Sequence, residues 1–368
     1  VIIRGVEIVN FRNIAGARPA FSPTFNLITG PNAQGKTNLL EAIYLFSLGR
    51  SFRTRSLEEA IRFGEEYFFT RLSGTSDSGV DFEIEAALER SGRTKVSMNG
   101  KRVGGLAEVV GVIPGVIFVP EDILLAAGPP AARRSFLDYT AAQLSPLALR
   151  ELKEFRGVLR QRNALLERSA RSCAPPAGIE PWDDALAERG ARIVSIRLEA
   201  MRELLERAGR LIGEVMGAPG LFRMEYVCSF NPAGKDPAEA LREALARVRE
   251  AERRRGYTMA GPQFDDLQIF LEDTELRRFG SQGRKRLAAL VLKLAQALTI
   301  LEKRGERPIV LLDDIFSELD RGTAGRLRER LTDSYQSFIT TPRPEEIGAL
   351  PPGSAAFRVE GGVVSVLG

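Results

Sequence analysis

The chain has 368 residues, of which 44% are hydrophobic and 27% charged, with a formal net charge of +4. That length allows two or three compact units with a real core, and the mild basicity hints at an anionic partner without specifying one. There is no histidine, which excludes histidine bases, Ser-His triads and histidine-ligated metals, so catalysis must use carboxylates, Lys, Arg, hydroxyls and bound Mg2+.

The apolar stretch from Leu287 to Ile300 is broken by Lys293 and Gln296. It is too short and too polar to span a bilayer, and no charged-then-apolar signal is present, so a cytoplasmic protein with no membrane partner is expected. Cys173 and Cys228 are distant in sequence and read as reduced thiols, not a disulfide framework or a zinc site.

In chain order, Val6 to Val9 alternates as a strand, and Phe25 to Thr29 is an apolar run that reads as a buried strand. Gly30-Pro31-Asn32-Ala33-Gln34-Gly35-Lys36-Thr37 follows and fits the phosphate-loop pattern G-x-x-x-x-G-K-[ST] in full. A helical pattern begins at Asn38. Strand, glycine-rich loop and helix in that order let backbone N–H groups curl around phosphates at a positive helix end. Lys36 can reach the β/γ-phosphates of a nucleoside triphosphate and the Thr37 hydroxyl can bind Mg2+. Further on, Val80 to Ala86 alternates apolar and acidic residues, and Lys95 to Met98 meets the hairpin signal Asn99-Gly100. Val116 to Val119 reads as another buried strand, ended by Pro120.

Residues 131–255 change to helical periods. The segments Cys173 to Gly178 and Asn231 to Gly234 break them, a long helical pattern runs from Trp182 to Val215, and a basic helix ends at Arg253-Arg254-Arg255-Gly256. From Thr258 strands return. Ser281-Gln282-Gly283 then precedes a long helix. These three residues fit an ordinary capped helix or, read more sharply, a second phosphate-sensing helix end. Ile309 to Leu312 is an apolar strand ending in Asp313-Asp314, the Walker B form. A buried parallel strand carries such an acid to the edge of the sheet beside the phosphate loop. Asp313 would support Mg2+, directly or through water, and Asp314 could polarise the attacking water. The expected divisions are 1–125 and 257–368 as two halves of one ATPase core, with 126–256 inserted as a helical domain.

With these motifs in place the chain resembles the RecF family of bacterial recombination-mediator ATPases, relatives of the SMC and ABC-type ATPases. The resemblance covers nearly the whole length. It rests on Asn10-Phe11-Arg12-Asn13, the phosphate loop with Leu40 to Tyr44, and Gly49 to Thr54. It continues through Pro120-Glu121-Asp122, Arg133 to Asp138, Gln161 to Leu166 and Gly261 to Asp266, and ends with Ser281 to Gly283, Asp313-Asp314 and Ser317 to Asp320. It implies an α/β fold: an ABC/SMC-type P-loop ATPase head with a helical insertion, lobe II, and no long coiled coil. It implies ATP and Mg2+ as cofactors, weak DNA-stimulated hydrolysis and an ATP-dependent homodimer. It further implies binding to DNA gaps or single-strand/double-strand junctions, with RecR and RecO as partners in loading RecA.

Carried over by motif, the resemblance implies that residues 30–38, Arg12 and Asn13 hold the nucleotide. Thr37 and Asp313 hold the metal. Lys36, Asp314 and Glu121 are catalytic, with Glu121 where the Q-loop glutamine of related ATPases would be. Ser281, Gln282, Gly283 and Asp320 would meet ATP across the dimer. The chain departs from the family pattern at Ala33, where an inner glycine is usual, and at Arg284-Lys285-Arg286, where glutamines are usual. It also departs at Gln263, where the family commonly has histidine, and Thr340 or Thr341 occupies the strand end of the transporter switch histidine. If Ala33 needs positive φ, the loop is strained.

No base-reading motif is present, so DNA contact should be to phosphates and shape. Arg50, Arg53, Arg55, Lys101 and Arg102 are candidates, though each alone reads better as a solvated charge. The ATP-hydrolysing subunit of an ABC-type transporter is the alternative reading. The divergent signature, the helical insert and the missing switch histidine stand against it.

Overall fold

The computed structural model describes residues 1–54, 56–172, 176–216, 221–230, 232, 234–319 and 321–367. Arg55, Cys173 and Asp320, together with parts of the expected breaks at 173–178 and 231–234, lie outside the described residues. The chain forms two compact units. The first comprises Val1–Asp122, Leu211–Pro219 and Leu290–Gly368, and the second Ile123–Arg210 and Gly220–Ala289.

The first unit holds two six-stranded sheets. One is antiparallel throughout and begins with the long strand Ile2–Phe11, which pairs with Ile14–Ala17 and with Tyr67–Thr75. Clean alternation over Asp81–Glu89 puts Phe82, Ile84, Ala86 and Leu88 in the core and the acidic positions outward. The expected hairpin forms at Asn99 and Gly100, with φ 50° and 75°, the left-handed pair that a tight two-residue turn requires.

The other sheet is mainly parallel. Phe25–Thr29 pairs with Ser337–Thr341 on one side and Ala355–Glu360 on the other. Ser337–Thr341 pairs with Ile309–Asp313, which pairs with Gly115–Phe118. All five run parallel, and an antiparallel strand, Val363–Leu367, closes one edge. Every residue of Ile309–Asp313 and Ser337–Thr341 is buried, as a sheet covered on both faces demands. The helix Lys36–Leu48 is apolar nearly all round, and Leu39, Leu40, Ile43 and Phe46 are fully buried in one core with residues of both sheets.

The second unit contains the helices Pro130–Leu144, Pro146–Ser172 and Pro237–Arg255, and the helix Glu180–Met216 as far as Arg210. It also contains a three-stranded antiparallel sheet in which Phe222–Val227 pairs with Asp266–Leu271. That first strand falls in a stretch read from sequence as helical, and it exists because a partner some forty residues on supplies its ladder. The helices are tied by buried charge. Arg162, fully buried, donates to Asp183 at 2.8 Å, Glu252 at 2.6 Å and Thr258 at 2.8 Å. Arg197 donates to both Asp138 oxygens and to the Pro262 carbonyl. Among the described residues the longest helix is Glu180–Met216, at 37 residues. No described helix is long and apolar enough to cross a membrane.

Candidate nucleotide site

The parallel sheet brings the site together. Ile28 lies beside Thr340 and Thr340 beside Asp313, so the phosphate loop and the Asp313-Asp314 pair leave the same sheet edge with one strand between them. Phe118 lies beside Leu312, so Pro120–Ile123 departs from that edge too. Gly35 caps the loop helix at φ 114°, where a Cβ would come within 2.5 Å of Asn13 Oδ1. Ala33 does adopt φ 63°. The left-handed conformation costs an alanine roughly 1–2 kcal/mol, so the loop is strained at the position where an inner glycine is usual.

Lys36 is buried, and its Nζ donates to the carbonyls of Gly30 at 2.7 Å and Pro31 at 2.9 Å. Burial lowers its pKa, against the opposing pull of the Asp314 and Asp313 charges. Thr37 Oγ1 donates towards both Asp313 oxygens, at 2.9 and 2.8 Å. Thr340 Oγ1 donates to Asp313 Oδ1 at 2.7 Å and accepts the Asp314 amide at 3.0 Å. Burial pushes the Asp313 carboxyl up; the bonds from Thr340 and Thr37 pull it down, and the Asp314 charge raises it further, with a net upward shift. Asp314 sits at φ 52°, and its Oδ1 is buried without a hydrogen-bond partner.

This donor set suits Mg2+. A hydroxyl and a buried carboxylate are hard oxygen ligands, and Asp314 Oδ1 has no hydrogen-bond partner among the described residues. Among the described residues no group of three or more Asp, Glu, Cys or His could hold a metal unaided, so phosphate oxygens and water would have to complete the shell.

The other expected residues divide. Asn13 donates to the Gln34 carbonyl at 2.9 Å and accepts from Asn38 at 2.7 Å, so it braces the loop. Arg12 forks onto fully buried Glu41 at 2.7 and 3.0 Å, and Ser51 donates to the same carboxylate at 2.5 Å. Arg53, a DNA candidate from sequence, donates to Asn38 at 2.6 Å and reaches Glu41 at 3.4 Å. Glu121 is exposed in a turn. Its neighbour Asp122 pairs with Lys293 at 2.9 Å, and burial pushes that carboxyl up. Lys101 and Arg102 are exposed on their hairpin.

Ser281, Gln282 and Gly283 are exposed at the start of the helix Gln282–Arg304, where a cap at Ser281 would place it. The Arg284 amide donates to Ser281 Oγ at 3.4 Å, a long capping bond. A Cβ on Gly283 would meet no atom within 4 Å. Arg284 pairs with Glu272 at 2.9 Å.

Sequence reading did not assign Thr340 a role. Its bond to Asp313 follows from strand order, which no local motif encodes. Gln263, in the position commonly held by histidine, donates to the Ala260 carbonyl at 2.9 Å.

A parallel sheet with a phosphate loop on one strand and an acid pair two strands away, joined to a helical unit, defines a P-loop ATPase head of the ABC/SMC type. The model of the RecF/RecN/SMC N-terminal domain matches residues 2–360. The chain is 36% identical to the DNA replication and repair protein RecF of Heliobacterium modesticaldum, over 99% of this chain and 98% of that one. It is 35% identical to RecF of Symbiobacterium thermophilum, over 98% and 96%. A solved structure of the recombination mediator protein RecF-ATP in the RecFOR pathway superposes with a TM-score of 0.89 at 31% identity, covering 100% of this chain and 98% of that one. An Smc head bound to the C-winged helix domain of ScpA shares the fold, with a TM-score of 0.59 at 16% identity, over 100% and 97%. The chain belongs to the RecF family.

Proposed function

We propose that this chain is an ATP-dependent recombination mediator that binds gapped or junction DNA. In this reading it hydrolyses ATP weakly, faster on DNA, and uses the nucleotide as a dimerisation switch. RecR and RecO are its partners, and RecA loading is the outcome. Residues 1–125 and 257–368 act as the two halves of the ATPase core, with 126–256 as the helical insertion.

The observation that carries the reading is the Thr37–Asp313 contact, which joins phosphate loop to acid strand. Lys36 neutralises phosphate charge, and the loop amides orient the triphosphate. Thr37 and Asp313 would hold Mg2+, which would supply positive charge to offset that of the phosphates. Asp314, with an oxygen free of protein donors, accepts a proton from, or orients, the attacking water. The exposed signature and the open space at Gly283 suit close approach of a second copy. Exposed Lys101 and Arg102 suit backbone phosphates, so DNA affinity should fall steeply with salt and depend little on sequence.

The test is ATPase rate and oligomer mass, each with and without gapped DNA. Stimulation by gapped DNA together with an ATP-dependent dimer is expected. Turnover and mass indifferent to both ligands would refute the proposal.

A further inference from the structure

The strand Ala355–Glu360 lies beside the phosphate-loop strand, with Arg358 opposite Thr29, and turns at Gly361 and Gly362 into Val363–Leu367. That turn grips the loop. The Gly361 amide donates to Gln34 Oε1 at 2.7 Å, and the Gly362 amide donates to the Gln34 carbonyl at 3.0 Å. The same carbonyl accepts Asn13 Nδ2 at 2.9 Å.

The approach is too close for side chains. A Cβ on Gly362 would lie 2.2 Å from the Asn13 carbonyl oxygen, and one on Gly30 would lie 2.2 Å from the Val359 carbonyl oxygen. Gly361 and Gly362 both have positive φ, 56° and 80°. Gln34 directly follows Ala33, whose φ of 63° is one that alanine disfavours. Local preference therefore does not hold this loop in shape, whereas donors from two distant segments do.

We infer that the Gly361–Gly362 turn is a clamp that positions the phosphate loop for nucleotide. Gln34 is the residue it holds, a positioning residue whose carbonyl and side-chain oxygen are both taken by protein donors. The inference rests on the reading of this loop as the ATP site. Because coupling is reciprocal, a clamp that favours the nucleotide-binding shape is itself tightened when nucleotide binds.

Hydrogen exchange on the full chain, with ATP and Mg2+ binding followed by calorimetry, reads this directly. The Gly361 and Gly362 amides should exchange at least about fivefold more slowly with nucleotide, at the low end of ordinary coupling. Gly362→Ala should weaken ATP binding about tenfold or more while keeping the wild-type circular dichroism, and Gln34→Ala should act in the same direction. Wild-type chain that binds ATP with unchanged exchange at the turn overturns the clamp alone, as does a folded Gly362→Ala that binds ATP normally. If Gly362→Ala does not fold, the wild-type exchange decides. Wild-type chain that binds no ATP overturns the site reading and the clamp with it.

Discussion

Thr37 Oγ1 lies 2.9 and 2.8 Å from the two oxygens of Asp313, across 276 residues of chain. The strand Ser337–Thr341 makes this possible. It sits between the two halves of the site and adds Thr340 Oγ1 to the same carboxylate at 2.7 Å. Two neutral hydroxyls do not offset the burial of that carboxylate, which is why its pKa stays raised. A divalent cation would remove the penalty. The site therefore stores an unfavourable charge environment that a bound divalent cation would relieve.

Lys36 supplies the complementary charge. Its ammonium is held by two loop carbonyls, and a triphosphate offers charged acceptors in their place. Lys36→Ala should lower ATP affinity by about 100-fold or more, as loss of a charge-assisted contact of roughly 3 kcal/mol implies. Calorimetry with ATP and Mg2+ checks it, and unchanged affinity would remove this loop from the nucleotide site.

Asp314→Asn separates binding from chemistry. The carboxylate has a buried oxygen with no hydrogen-bond partner among the described residues, so no protein donor competes for it. An amide accepts a proton poorly, and turnover should fall by about 100-fold or more while ATP binding persists. A steady-state rate equal to wild type would move the role elsewhere, with exposed Glu121 next in line.

The phosphate loop, the acid strand and the Asn99-Gly100 hairpin could be read directly because each is encoded by a few adjacent residues. Asn99 and Gly100 take positive φ values, which asparagine tolerates and glycine, lacking a Cβ, adopts freely. Phe222–Val227 escaped notice although Phe222, Met224 and Tyr226 alternate with Arg223 and Glu225, because the run is short, lies among long helical patterns, and takes its ladder from Asp266–Leu271. The bond from Thr340 to Asp313 and the Gly361–Gly362 turn are hidden for the same reason, although Thr340 is legible as part of a strand end. Strand order places them at the loop, and order is a property of the whole sheet. Arg162 stood out as part of a motif, but its work, bridging fully buried Glu252 to Asp183, becomes visible only once three helices are packed together.

Acid stability offers a check on the helical unit that does not involve the nucleotide. Glu151 lies on the helix Pro146–Ser172 and accepts from Arg189 at 2.7 Å and Arg192 at 3.0 Å, both on Glu180–Met216. Burial pushes its carboxyl up, but the two arginine bonds outweigh burial and hold it below the ordinary value. The unfolded chain therefore takes up this proton at higher pH than the folded chain does. The stabilisation is complete above the unfolded value of about 4.3 and is lost as pH falls through the depressed folded value. Glu151→Gln should cost about 1–2 kcal/mol at neutral pH, discounted for screening at the partly exposed arginines, and should flatten the acid limb of the stability curve. Urea unfolding from pH 3 to 7 measures both, and identical acid limbs would mean that Glu151 is not held below its ordinary value in the folded chain.

Ser281→Arg tests the dimer switch. Each chain carries one phosphate loop and one signature helix, and a two-fold pairing lets each signature meet its partner's nucleotide. The helix start is exposed, its capping bond is long, and Gly283 has open space where a side chain could stand. A Gly in a helix sacrifices stability relative to Ala, and among the described residues no atom lies within 4 Å of where its Cβ would stand. Close approach by a second copy, as in the proposed dimer, would give that glycine a reason. Arginine at 281 puts a long side chain where the γ-phosphate of the partner's ATP would sit. ATP acts as interfacial glue in this scheme, so wild-type mass should double with ATP and Mg2+ and return to the monomer value without them. The variant should stay monomeric under the same conditions while binding ATP through Lys36 with wild-type affinity. Light scattering alongside calorimetry decides: a variant that dimerises as well as wild type reduces Ser281 to a helix cap.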